Sequence, residues 1–378
     1  MFINRITQML EMRGIQNRYC GIYGKQPYNV SNWLSSSAYS NAMLSKMKMP
    51  ETKTLEYVYT YSMDKKILNR VKKKLDPSTG DEMGITFVDN GTQAIITLVN
   101  MIKQYKYKKI CIINPAYFSI AQALKAFSIE YDEINLKRTN GQYVLPYEEL
   151  VKAHYDVIWI TSPIFSTSVY HSQETENMIH DLMDRGTLII SDECFCVPGN
   201  ELIRRVKNRN NFIAIYSPHK SLCLNTFKFA SIIYPERFDT FIEHWVDVLT
   251  GNLPASSLSA ITHFLDSNYD ECQKVYRKFM TTAGDEVQSI IRSKDNVESD
   301  NIITGSLLTL YFNNLTFDQI KSYSFIEDVI FSTGKAFYPS FLNGLDETFG
   351  FAFRINLALY DKEFLSSLDR LVCHLSAI

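Results

Sequence analysis

Residues 212–234 read Phe212-Ile213-Ala214-Ile215-Tyr216, then Ser217-Pro218-His219-Lys220-Ser221-Leu222-Cys223-Leu224-Asn225-Thr226-Phe227-Lys228, then Phe229-Ala230-Ser231-Ile232-Ile233-Tyr234. The outer segments are apolar runs too short for helices, which predicts two buried strands. The loop between them carries hydroxyls, an imidazole and two lysines. In an α/β protein, chemistry sits on loops that leave the strand ends. Alone, the loop reads as a basic surface turn; its partners lie elsewhere in the chain.

Upstream, strands and helices alternate. Ile85-Thr86-Phe87-Val88 reads as a strand, and 92–105 as a helix with Ile95, Leu98, Val99 and Ile102 on its inner face. Lys109-Ile110-Cys111-Ile112-Ile113, Val157-Ile158-Trp159-Ile160 and Thr187-Leu188-Ile189-Ile190 are further strands, with helices at 117–127 and 174–183. Near-continuous apolar strands separated by amphipathic helices predict an α/β fold with a mostly parallel sheet covered on both faces. Downstream, 269–292 is a long amphipathic helix, 293–300 a polar linker, and 302–378 a smaller α+β unit of strand, helix, strand and helix. At the other end, 3–14 reads as a short amphipathic helix. Residues 19–50, rich in Ser, Asn, Tyr and Gly, read as an extended arm rather than a packed unit. Residues 63–75 form a helix whose lysines make a solvated face. The expected division is an arm and part of the small domain at 1–48, a large domain at 49–268, and a small domain at 269–378.

The bulk numbers narrow the function classes. At 378 residues the chain can bury a full core, and 46% apolar with 21% charged residues is ordinary for a globular protein. A formal charge of −2 gives no polyanion signature, so nucleic acid is not an expected partner. Seven cysteines without a CxxC pair predict a reduced protein and no zinc site. There is no apolar run of transmembrane length and no secretory h-region, so no membrane partner and a cytoplasmic location are expected. Neither a GxxxxGK[ST] loop nor a GxGxxG turn is present.

Four features fall at the predicted carboxyl ends of strands. Asn90-Gly91-Thr92-Gln93-Ala94 is a glycine turn opening a helix, suited to a phosphate. Asn114-Pro115-Ala116-Tyr117 puts an aromatic where a flat ligand stacks. Asp192 closes the apolar strand Ile189-Ile190-Ser191, where a carboxylate needs a cation: an ion pair, a cap, or a protonated pyridine nitrogen. Lys220 has Ser217 three residues before it and Lys228 eight after; near a hydrophobic floor its amine becomes a nucleophile.

In order and spacing these features resemble the fold type I pyridoxal-phosphate enzymes, in particular the class I/II aminotransferases, over roughly residues 57–358. The resemblance implies a seven-stranded large-domain sheet and a homodimer with shared active sites. It implies pyridoxal 5'-phosphate as cofactor, and an amino acid and a 2-oxo acid as substrates. Lys220 is similar to the Schiff-base lysine, Asp192 to the aspartate under the pyridine nitrogen, and Tyr117 to the ring-stacking aromatic. Gly91, Thr92, Gln93, Ser217 and Lys228 match the phosphate site. Arg354, in Phe351-Ala352-Phe353-Arg354-Ile355-Asn356-Leu357, matches the arginine on the substrate α-carboxylate. Tyr57, Tyr59 or Tyr61 matches a tyrosine that crosses the dimer, with Tyr57 and Tyr59 fitting the spacing better; Tyr59 is carried as the cofactor contact. Asn32 and Trp33 fall where the arm would line the substrate entrance, with Asn32 taken as the substrate contact.

Three departures stand out. Lys228 replaces a phosphate-binding arginine. Phe195 stands where the family has a tyrosine bonded to the cofactor's phenolic oxygen. The asparagine with the same task falls on Phe165 in one register, or on Ser166 in another, as in the α-oxoamine synthases. Aminotransfer is therefore weighed against a lyase, decarboxylase, oxidase or synthase on the same scaffold, and against a cofactor-binding protein without turnover. Loops rich in Tyr and Phe tilt the substrate toward aromatic or apolar amino acids.

Overall fold

A computed structural model describes residues 2–47, 83–139, 141–197, 199–207, 209–224, 229–246, 248, 255–300, 305–345 and 347–378. The sequence-predicted helix at 63–75, the tyrosines at 57, 59 and 61, and Lys228 lie outside the described residues.

The large sheet has seven strands: β1 (Met83–Val88), β2 (Ile110–Asn114), β3 (Asp132–Asn135), β4 (Val157–Thr161), β5 (Leu188–Asp192), β6 (Phe212–Tyr216) and β7 (Ala230–Pro235). Their spatial order is β1-β7-β6-β5-β4-β2-β3. Only β7 runs antiparallel, against β1 on one side and β6 on the other. Every residue of β2, β4, β5, β6 and β7 is buried. This is why their sequences run apolar without alternation: both faces are covered, so neither needs polar side chains. Trp159 sits in the middle, fully buried. The carboxyl ends of the six parallel strands share one edge, so Asn90, Asn114, Asp192 and Ser217 arrive there together.

Helix α1 (Phe2–Tyr23) and helix α2 (Ser37–Leu44) flank a segment that the sequence reads as a loose arm. It is packed. Tyr28–Asn29 pairs in parallel with Lys335–Ala336, and Tyr19, Val30, Tyr39 and Met43 are all buried. The Tyr39 hydroxyl bonds the Leu222 carbonyl, tying the arm to the Lys220 loop. Arg18 holds Glu327 through two nitrogens at 2.7 and 2.9 Å. Few apolar residues are spent here, but Tyr19, Val30, Tyr39 and Met43 join the core, which composition does not record.

Helix α3 (Gly91–Gln104), helix α4 (Phe118–Ala126) and helix α5 (Gln173–Asp184) cover the large sheet. Helix α6 (Pro218–Ser221) is the short turn bearing Lys220, and helix α7 (Tyr269–Arg292) leads toward the second sheet. That sheet is antiparallel, in the order β8 (Val297–Ser299), β9 (Leu307–Phe312), β11 (Phe351–Asn356), β10 (Tyr338–Pro339). Strand β8 falls inside the stretch expected to be a polar linker. It holds Val297 inward as an edge strand while Glu298 stays exposed. Helices α8 (Tyr323–Thr333) and α9 (Lys362–Ser376) complete this unit. Among the described residues no helix is long and apolar enough to cross a membrane, and no cluster of His, Cys, Asp or Glu is placed to hold a metal ion.

Candidate active site

Lys220 is raised at the strand end by a local sequence device. Ser217 precedes Pro218, whose fixed φ and missing N–H suit the first helical position of α6. The Lys220 N–H donates to the Ser217 carbonyl at 2.9 Å, and the Ser217 hydroxyl donates to the Phe229 carbonyl at 3.2 Å. The half-buried Lys220 side chain then points between two rings. Its Nζ lies 4.5 Å from the centre of Phe195 and 5.3 Å from that of Tyr117. Among the described residues no carboxylate pairs with it. His219 turns away from this space, buried against the Phe229 ring at 5.1 Å.

Arg354 stands across the same cavity. It projects from the middle of β11, between Phe353 and Ile355, and is only 1% exposed. Trp33 covers one face of the guanidinium at 4.1 Å and Tyr338 stacks on it at 4.5 Å. Nη2 donates a long bond to the Ser31 carbonyl at 3.4 Å, while Nε and Nη1 have no partner among the described residues. Burial lowers its pKa to about 10, with Tyr338 opposing. A buried cation without an anion is unfavourable, so this arrangement points to an incoming carboxylate. The cavity joining Lys220 to Arg354 has a volume of about 400 Å³, and Met9, Trp33, Tyr117, Phe118, Phe165 and Tyr338 complete its wall.

Asp192 ends β5, buried at 5% exposure, and accepts the Cys194 N–H at 3.1 Å. The Cys194 thiol faces both Asp192 and Ser217, and burial pushes its pKa up. On its other side it abuts α3: a Cβ built on Gly91 would lie 2.9 Å from Cys194 Sγ. Glycine is therefore required at this turn by close approach. The helix start is ordered by the Asn90 side chain, which accepts the Gln93 N–H at 3.0 Å, and by Gln93 Oε1, which accepts the Asp89 N–H at 2.9 Å. The first N–H groups of α3, on Gly91 and Thr92, are left for an anion.

The structure thus brings Lys220, Tyr117, Phe195, Phe165 and Arg354 around one space, with Asp192, Ser217 and Gly91 joined behind it through Cys194. Thr92 is exposed and Gln93 half-buried at the mouth of the helix. Ser166 is buried with φ 70°, and its hydroxyl has no partner among the described residues. It does not line the cavity. Asn32 is also placed apart from it. Its side chain is exposed beside a different groove and its carbonyl accepts from Asn356 Nδ2 at 2.7 Å. The neighbouring Trp33 turns inward in its place.

Sequence reasoning did not single out Cys194, Tyr338, Phe118 or Met9. Cys194 carried a usable signal, two residues past the strand-ending aspartate. Tyr338 and Met9 come from remote segments, and nothing local marks them.

No protein-family model matches the chain, and no curated protein matches it. Solved structures do. YbdL from Escherichia coli, described as having a methionine aminotransferase function, superposes with TM-score 0.75 at 13% identity, covering 96% of this chain and 95% of that one. An aspartate aminotransferase from Rhodobacter sphaeroides gives TM-score 0.72 at 16% identity, covering 93% and 92%. A pyridoxal-phosphate-bound C-S lyase from Staphylococcus hominis gives 0.70 at 16% identity, covering 91% and 86%. The chain therefore has the class I/II aminotransferase-like fold of the fold type I group.

Proposed function

We propose that this chain, sharing its fold with the aminotransferases, is a pyridoxal-phosphate-dependent enzyme that moves an amino group between an amino acid and a 2-oxo acid. The observation that carries this reading is one cavity with a lysine amine at one end and a buried guanidinium at the other, neither paired with a carboxylate among the described residues. An amino acid's carboxylate complements the guanidinium, and its amine would take the place of the lysine amine on a cofactor aldehyde.

The residues present fit the cofactor. Lys220 would hold its aldehyde carbon, Asp192 its ring nitrogen, and Tyr117 its ring face. The Gly91 and Thr92 N–H groups, Ser217 and Lys228 would hold its phosphate. When bound, pyridoxal phosphate supplies an electron sink for the substrate's Cα. Arg354 binds the α-carboxylate edge-on and fixes the Cα–H bond toward Lys220. Lys220 Nζ, once free, takes the Cα proton and returns one. The Asp192 carboxylate, buried at the end of β5, would hold a proton at the ring nitrogen. Trp33 and Phe195, stacked at 5.3 Å, exclude water from above. A homodimer belongs to this proposal and rests on the resemblance alone; a cytoplasmic location belongs to it on the reduced cysteines expected from the sequence.

Phe195 beside Lys220 Nζ and Phe165 in the wall both lack a hydroxyl, which leaves room for a second outcome from the same carbanion, such as elimination of a β-substituent. The two give different products. Without an acceptor, transfer yields one equivalent of 2-oxo acid and then stops, whereas elimination continues and releases ammonia.

The first test is borohydride reduction of the cofactor-loaded protein, with peptide mass mapping. Label on Lys220 is expected, and Lys220→Ala should lose both the label and Cα hydrogen exchange of substrate. Label on another lysine overturns the assignment.

A further inference from the structure

Resting on amino-acid chemistry at this site, we infer that the substrate carries one carboxylate and an aromatic or large apolar side chain, and that Trp33 is the residue that sets this preference. Among the described residues two cations line the cavity. Lys220 is committed to the cofactor, which leaves Arg354. Trp33 and Tyr338 cover the faces of its guanidinium and Nη2 donates to the Ser31 carbonyl, so Nε and Nη1 are the donors left without a partner among the described residues. A guanidinium carries one positive charge, so one carboxylate neutralises it.

Among the described residues the rest of the wall has nothing to offer a second one. Beyond the rings that flank Lys220, the lining is Met9, Trp33, Phe118, Phe165 and the Tyr338 ring. A side-chain carboxylate would lose its water among these groups and gain no cation. A volume of about 400 Å³ is in the range of small-molecule pockets, and the substrate would share it with the cofactor at Lys220. Trp33 spans the entrance. One end lies on Arg354 and its ring stacks on Phe195 at 25°, while 40% of its surface stays exposed. A substrate side chain entering past it meets a flat apolar face, which suits another ring.

The test uses the cofactor-loaded full chain. With phenylalanine or methionine as amino donor, kcat/KM should exceed that for aspartate or glutamate by about 100-fold or more. In parallel, calorimetry compares 3-phenylpropanoate with glutarate, which needs no turnover. The aromatic monoacid should bind at least about tenfold tighter, through apolar burial that the diacid cannot match. Trp33→Ala should lower the ratio of kcat/KM for phenylalanine to that for alanine by about tenfold or more, and Trp33→Phe should restore most of that ratio. Aspartate turned over as well as phenylalanine overturns the inference while leaving amino transfer intact. Discrimination between the two acids without any amino transfer has the opposite meaning: the substrate class stands and the reaction assigned above falls. Failure of both acids to bind overturns the inference, and equal losses for phenylalanine and alanine in Trp33→Ala remove Trp33 from it.

Discussion

Arg354 sits in surroundings that its own chemistry disfavours. Its guanidinium is buried, stacked between rings and short of an anion, and its pKa is lowered to about 10 by that burial. A depressed pKa for a cation means the free protein holds the charge at a cost, which substrate binding relieves. Replacement by an apolar residue of similar length removes the cost together with the function. Arg354→Met is therefore expected to leave the thermal unfolding midpoint unchanged or raised, while binding of 3-phenylpropanoate is lost. A destabilisation above about 2 kcal/mol would show the guanidinium to be a structural member of β11 instead. At this scale the sequence was informative wherever the residue type itself limits the chemistry. A lysine after Ser-Pro-His, an aspartate closing an apolar strand and an arginine inside Phe-Ala-Phe-Arg-Ile are each conspicuous. Asn32 and Trp33 show the opposite case. Adjacent residues on one arm point to different spaces, and side-chain direction there depends on Asn356 bonding the carbonyls of Asn32 and Leu34 at 2.7 and 3.0 Å.

The start of α3 shows how a whole element is positioned by one missing side chain. Gly91 lets the helix N-terminus approach the Asp192 loop until Cys194 Sγ touches it. Gly91→Ala places a methyl within 2.9 Å of that sulfur, so the helix must shift or the loop must yield. Overpacking of this kind costs about 1–3 kcal/mol. Combining it with Cys194→Ala removes the obstructing atom, and the double variant should recover most of the stability and of the affinity for pyridoxal phosphate. Urea unfolding of the four proteins in the cycle measures the coupling; strictly additive effects would rule out the close approach. The elements themselves follow the sequence periodicity closely for α7 (Tyr269–Arg292) and for the buried strands of the large sheet. Short pieces escape it. The strand Val297–Ser299 and the helix Ser37–Leu44 are held by neighbours, and segments this brief carry too few residues for a period to show.

Across the whole molecule, a buried polar cluster ties the two-stranded hairpin Lys137–Thr139 and Gln142–Val144 to the second sheet. Tyr143, on the strand Gln142–Val144, donates to Asp300 at 3.0 Å and bonds the Tyr311 hydroxyl of β9. Arg138 lies over the Tyr311 ring at 3.7 Å and 3.7 Å from Asp300. Burial, only partly offset by Arg138, raises the Asp300 pKa to about 6. A carboxyl that keeps its proton longer in the native state than in the unfolded one makes stability fall as pH rises through that interval. The penalty is absent below the unfolded pKa and complete above about 6. Asp300→Asn, neutral throughout, is expected to show a smaller loss of urea stability between about pH 4 and about pH 7 than the parent chain. Parallel pH profiles for the two would remove Asp300 from the account.

By itself the sequence determined the layered α/β architecture and the order of its chemical groups. Burying a parallel sheet on both faces demands apolar strands, and only a few residue types can hold a phosphate, a ring nitrogen or a carboxylate. Tertiary structure alone decided that Arg354 faces Lys220 across one cavity, that Trp33 rather than Asn32 closes it, and that the 19–47 segment is packed. Those outcomes depend on contacts between residues tens to hundreds of positions apart, whose geometry no local period or propensity encodes.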